Sequence, residues 1–143
     1  MRGGIVRAAL FLAAATAIAA EPAVEVAGAW ISDPPPGAGV AAAYMEIRNA
    51  TQAPVSLTGA TAGSNFDRVE MHETTLRQGM ASMHRLELVE IPAGGTVSFA
   101  PGGKHFMLFG KPPLPRAGEN VALSLKFADG GVLELSVPVR RPQ

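Results

Sequence analysis

The 143 residues contain no cysteine. Thiol-disulfide exchange, a thiolate nucleophile and a lipid-modified cysteine are therefore absent from this stretch of chain. A blue-copper electron-transfer site is excluded as well, because its short copper–thiolate bond needs a Cys. There is no basic block or stripe of the kind that binds nucleic acid or an anionic membrane. Lys and Arg number 12 against 12 Asp and Glu. Setting aside Arg2 and Arg7 at the amino terminus leaves a slightly acidic remainder. No Ser-His-Asp or paired-carboxylate arrangement is evident, so an enzyme is not expected. No run after the amino terminus has a helical period over three turns.

What is present begins with an expected secretory leader. Arg2 and Arg7 precede a nearly uninterrupted apolar run from Ala8 to Ala20, too short to span a bilayer comfortably. Ala17-Ile18-Ala19 offers a small-x-small cleavage pattern, with Ala20 an equal choice. Residues 1–20 are accordingly read as a signal peptide that sends the chain to the periplasm. Residues 21–143 are read as a single domain, long enough for one core.

Within that domain, strand signals alternate with Gly and Pro punctuation. Val24 to Ile31 is predicted as a strand ending at Asp33-Pro34-Pro35-Pro36-Gly37. Ala41 to Asn49 follows, then a short Val55–Thr58 and a loop over 59–67. Arg68 to Thr74 alternates, with Val69 and Met71 on one face and Arg68, Glu70, His72 and Thr74 on the other. Arg77-Gln78-Gly79 is predicted as a turn and Ser82 to Ile91 as its return strand. Thr96–Ala100 and His105–Phe109 are further short strands. Val121–Phe127 and Leu133–Val139 are predicted to form a hairpin about a two-residue Asp129-Gly130 turn. Many short strands at roughly 8–12-residue spacing imply an all-β antiparallel sandwich or barrel.

All three histidines and four of the six methionines lie between Val69 and Leu108. Imidazole with thioether sulfur is a soft donor set that suits cuprous copper. His72, Met83, His105 and Met107 are the candidate ligands. The midpoint of His72 and Met83 falls between Arg77 and Gln78, so a hairpin centred there would set them directly opposite, ~4.5–5.5 Å apart at Cβ. His105 and Met107, two apart, would share a strand face ~6.5–7 Å apart. Met71 is assigned to the core with Val69. Met80 is read as a bystander near the turn. His84, adjacent to Met83, should point to the opposite face as an ordinary surface or hydrogen-bonded histidine.

The spacing His72-x10-Met83-x21-His105-x-Met107 resembles the H-x10-M-x21-H-x-M signature of the PCuAC family of periplasmic copper chaperones. Flanking segments are similar too: Ala43-Tyr44-Met45 with Asn49, Glu90 to Gly95, Pro101 to His105 and Phe127 to Gly131. The resemblance implies a cupredoxin-like Greek-key β-sandwich binding Cu(I) through these two His and two Met. It also implies delivery of copper toward cytochrome c oxidase, to a copper-accepting oxidase subunit, alongside Sco-type proteins. The His- and Met-rich tail that gives some members a second copper site is not expected here, since the chain ends Val139-Arg140-Arg141-Pro142-Gln143. The residues leave two other readings open. One is a copper storage or tolerance protein using the same site, and the other is a metal-free β-sandwich adaptor.

Overall fold

The computed structural model describes residues 12–14, 23–63 and 65–143. The leader expected over 1–20 lies almost wholly outside them. Ten strands form, and no helix occurs among the described residues. They are β1 (Val24–Ser32), β2 (Val40–Asn49), β3 (Val55–Ala62), β4 (Phe66–Arg77), β5 (Met80–Leu86), β6 (Val89–Ile91), β7 (Thr96–Phe99), β8 (Lys104–Gly110), β9 (Asn120–Phe127) and β10 (Val132–Arg140). The hydrogen-bonded order is β5-β4-β8-β7-β2-β1-β10-β9-β3-β6. Most pairings are antiparallel. The exceptions are short parallel contacts between β7 and β8 and between β1 and β10. The latter, Ile31↔Val139 and Ser32↔Arg140, joins the layer β5-β4-β8-β7-β2-β1 to the layer β10-β9-β3-β6.

Period-2 alternation explains the two layers. On β2, Ala41, Ala43, Met45, Ile47 and Asn49 are buried while the even positions face outward. On β9, Val121, Leu123, Leu125 and Phe127 do the same. The inward rows meet in one core in which Ile31, Ile47, Leu57, Ile91, Phe99, Phe106, Leu108 and Leu125 are essentially inaccessible. Phe99 and Phe106 stack with centroids 4.3 Å apart. Each such side chain contributes about 1.5–3 kcal/mol of burial. Phe106 and Leu108 are thus the inward anchors of β8, which turns His105 and Met107 outward.

Three expectations are corrected. The return strand predicted over 82–91 is two strands. β5 pairs with β4, then the chain breaks at Glu87-Leu88 and β6 pairs with β3 in the other layer. β5 overhangs the core, so it has no buried face that would continue the alternation. The loop expected over 59–67 is largely strand, with β3 running to Ala62 and β4 starting at Phe66. The carboxyl hairpin closes with a three-residue loop, Ala128-Asp129-Gly130. Phe127 and Gly131 pair across it, and Gly130 adopts φ 87°. Val132 accordingly faces Lys126. This is the type I turn plus left-handed residue of three-residue hairpins, helped by Gly131 N–H donating to Asp129 Oδ1 at 2.8 Å.

Candidate metal centre

The site lies on the outer face of the β5-β4-β8 end of the larger layer. His72 on β4 and His105 on β8 are direct cross-strand partners. Their rings are 5.9 Å apart between centroids and inclined by 26°. One step along the same ladder, Glu70 faces Met107. On the other side of β4, Met83 faces Thr74 and Arg85 faces His72.

The hairpin register therefore differs from the expectation that His72 and Met83 oppose each other. The turn is Gln78-Gly79, with φ 50° and 78°, and Arg77 pairs with Met80 across it. Two successive positive-φ residues define the tight hairpin turn whose twist matches the flanking strands. A centre between Arg77 and Gln78 would instead have forced Arg77 into that conformation. The turn centre sits one residue later, so the pairing shifts by two. An even shift leaves every side chain on its original face. Met83 thus remains on the face of His72, displaced diagonally by one row. Met83, His72, His105 and Met107 form an oblique line across three strands.

The four differ in exposure. His105 is buried at 8% and Met107 is partly covered, also lining a shallow groove with Ala42, Tyr44, Asp33 and Pro34. The His72 side chain is 15% exposed. Met83, on the edge strand, is 54% exposed. Met71 is in the core at 3% exposure, as the alternation requires, and Met80 is exposed beside the turn. His84 faces Glu73 on the opposite face from Met83, with Nε2 3.2 Å from Ser82 Oγ.

Both site histidines are held from outside the four-residue set. His105 Nδ1 lies 3.0 Å from the Gly103 carbonyl oxygen, which also accepts the Thr74 N–H at 3.1 Å. The Pro101-Gly102-Gly103 turn, with Gly102 at φ 83°, puts that carbonyl there. A carbonyl only accepts, so Nδ1 carries the proton and Nε2 is left as the donor atom. His72 Nε2 lies 2.9 Å from Glu70 Oε2, and Arg68 Nε donates to Glu70 Oε1 at 3.1 Å. These two hydrogen bonds, that of His72 first, hold the Glu70 carboxyl below its usual range. The Arg68 guanidinium is itself seated over the Phe109 ring at 4.0 Å. Beyond the site on β2 and β1, Tyr44 packs against Trp30 with centroids 4.9 Å apart. Arg140 covers Trp30 at 4.6 Å. Burial pushes the Tyr44 phenol above its ordinary range.

Ligand type alone assigns no role to Glu70 or to the Gly103 carbonyl. Alternation already put Glu70 on the face of His72. Nothing in the sequence marks the carbonyl, because every residue carries one. Chemically, the four candidate ligands offer two imidazoles and two thioethers, a set matched to a soft monovalent ion and poorly matched to hard cations.

A β-sandwich that carries a His/Met face at one sheet end is a cupredoxin-like domain of the PCuAC type. The family model described as "Putative lipoprotein LpqE-like" matches residues 24–139. The chain is also 36% identical over 119 residues to "Putative lipoprotein Lxx21020" of Leifsonia xyli subsp. xyli, an alignment spanning 82% of this chain and 69% of that protein. The chain therefore belongs to the LpqE-like family, the PCuAC group of domains. Among solved structures it is similar to apo-DR1885 and CuI-DR1885 from Deinococcus radiodurans, each 33% identical. Their TM-scores are 0.63 and 0.65, with 99% and 90% of this chain and 95% and 83% of those chains covered. The copper-bound PCuAC domain from PmoF2 shares the fold at 24% identity and TM-score 0.70, covering 86% of this chain and 97% of that one.

Proposed function

We propose that this chain is an exported carrier of Cu(I), with the ion as cargo held by His72, Met83, His105 and Met107. The observation that carries the reading is the direct cross-strand pairing of His72 with His105, with a thioether set diagonally to either side on the same face. The copper-loaded state named for DR1885, 33% identical to this chain, supports the same cargo. Neutral thioethers need no deprotonation, so Met ligation survives acidic surroundings that weaken thiolate sites. A set without an anionic ligand holds Cu(I) while leaving it exchangeable. The buried His105 is the most enclosed ligand and the exposed Met83 is the one open to a partner. Exchange would start with an incoming Cys, His or Met replacing Met83 at the β5 edge.

The proposed destination is cytochrome c oxidase assembly, with a copper-accepting oxidase subunit as recipient and Sco-type proteins as companions. The proposed location is the periplasm. The relatives' lipoprotein names accord with export, although these 143 residues contain no Cys to carry a lipid. The role is that of a carrier, not an enzyme. A four-ligand site leaves no open position of the kind catalytic metals keep.

The double substitution Met83→Leu with Met107→Leu should abolish high-affinity Cu(I) binding and leave the fold intact. Competition against a Cu(I) chelator measures this, with circular dichroism as the control for folding. Unchanged competition overturns the ligand set. Mixing the Cu(I)-loaded protein with the apo copper domain of an oxidase subunit then tests delivery by where the metal ends up.

A further inference from the structure

We infer that Glu70 is a positioning residue that makes His72 bind copper through Nδ1, while His105 binds through Nε2. The inference rests on the ligand set proposed above and adds the nitrogen each ring uses. Glu70 Oε1 is occupied by Arg68, a group that can only donate, and Oε2 is 2.9 Å from His72 Nε2. A carboxylate so placed accepts the Nε2 proton, leaving the lone pair of a neutral His72 on Nδ1. His105 is the mirror case, with Nδ1–H held by the Gly103 carbonyl.

The two acceptors flank the His72–His105 row from opposite sides. Glu70 lies in the row of Met107, and Gly103 lies beside Thr74 in the row of Met83. The two nitrogens of an imidazole point in diverging directions. A ring whose one nitrogen is tied to a fixed acceptor keeps the other for a ligand, which leaves Nδ1 free on His72 and Nε2 free on His105. Histidine ligands are commonly oriented in this way by a carboxylate or carbonyl on the far nitrogen, and losing such a partner typically costs 10–100-fold in metal affinity.

Cu(I) is diamagnetic, so long-range ¹H–¹⁵N spectra of the imidazoles read the assignment directly. At pH 8 the metal-free protein should show the Nε2–H form at His72 and the Nδ1–H form at His105. On adding Cu(I), the ¹⁵N shift should fall on Nδ1 of His72 and on Nε2 of His105. Glu70→Leu should mix the His72 tautomers, leave those of His105 unchanged and weaken Cu(I) binding about 10–100-fold. Glu70→Gln, whose amide oxygen can still accept from Nε2–H, should recover much of both. Ligation through His72 Nε2, or undiminished affinity in Glu70→Leu, overturns the inference and leaves the four-ligand site standing. No copper-induced shift at either histidine overturns both. The unchanged His105 signals report that the Leu variant is folded.

Discussion

Asn49 is fully buried, and each of its amide atoms is used. Nδ2 donates to the carbonyls of Ala53 at 2.8 Å and Ile91 at 3.1 Å. Oδ1 accepts from the Thr51 N–H at 2.9 Å and the Thr51 hydroxyl at 2.7 Å. One side chain therefore ties the end of β2 to the loop after it and to β6 in the other layer. Asn49→Leu takes the amide donor from the buried Ile91 carbonyl and the acceptor from the Thr51 N–H, while the exposed Ala53 carbonyl keeps the Thr51 hydroxyl. The expected loss is about 2–4 kcal/mol, seen as a lower denaturant midpoint at unchanged slope. Cu(I) affinity should not change, because Asn49 shares no contact with the His/Met face. An unshifted midpoint would mean that water replaces the amide. The metal candidates were legible at this scale from side-chain chemistry and spacing. Glu70 was legible only as a residue on the right face, because its role depends on a 2.9 Å contact that alternation does not specify.

At the scale of elements, the β4–β5 hairpin decides where Met83 sits. Its turn holds Gln78 at φ 50° and Gly79 at φ 78°. A Cβ on Gly79 meets no neighbouring atom, so the cost of Gly79→Ala is conformational, about 1–2 kcal/mol. β5 is an exposed edge strand with almost no core contact to hold it otherwise. The variant should therefore loosen the hairpin alone: faster amide exchange over 80–84, unchanged exchange in β9 and β10, and Cu(I) affinity reduced several-fold. Uniform exchange across the molecule would show instead that β5 is bound into the global unfolding unit. Strand positions followed from the period-2 pattern where the core face is an unbroken apolar row, as in β2 and β9. They failed at the Gly59-Ala60-Thr61-Ala62 end of β3, whose small residues read as a loop, in β5, which has no core face, and where the chain crosses between layers at Glu87-Leu88.

For the whole molecule, the junction between layers is guarded by Asp33. Its N–H donates to the Arg140 carbonyl at 2.9 Å. Its carboxylate accepts from Arg116 Nε at 2.7 Å and from the Ala117 N–H at 3.3 Å. The hydrogen bond from Arg116, aided by the charges of Arg116 and Arg141, holds the Asp33 carboxyl below its usual range. A carboxyl depressed in the folded state adds stability that is complete above its unfolded pKa of ~3.9 and is lost as pH falls through the lower folded value. The melting-temperature gap between the protein and its Asp33→Asn variant should be present at pH 7 and shrink below about pH 4. A gap that does not depend on pH would assign the contact to packing rather than charge.

The sequence by itself determined the class of fold, the faces of the strands and the four candidate donors. Each of these follows from a local rule: the two-residue period of a strand, the conformations Gly and Pro permit, and the chemistry of imidazole and thioether. The tertiary structure alone decided which strands are neighbours. It set His72 against His105 rather than Met83, because β8 lies between β4 and β2 and the hairpin turn is centred on Gln78-Gly79. It also brought Glu70 and the Gly103 carbonyl to the two rings. Those are non-local pairings and a register choice, fixed by which apolar rows close a common core, and no window along the chain contains that information.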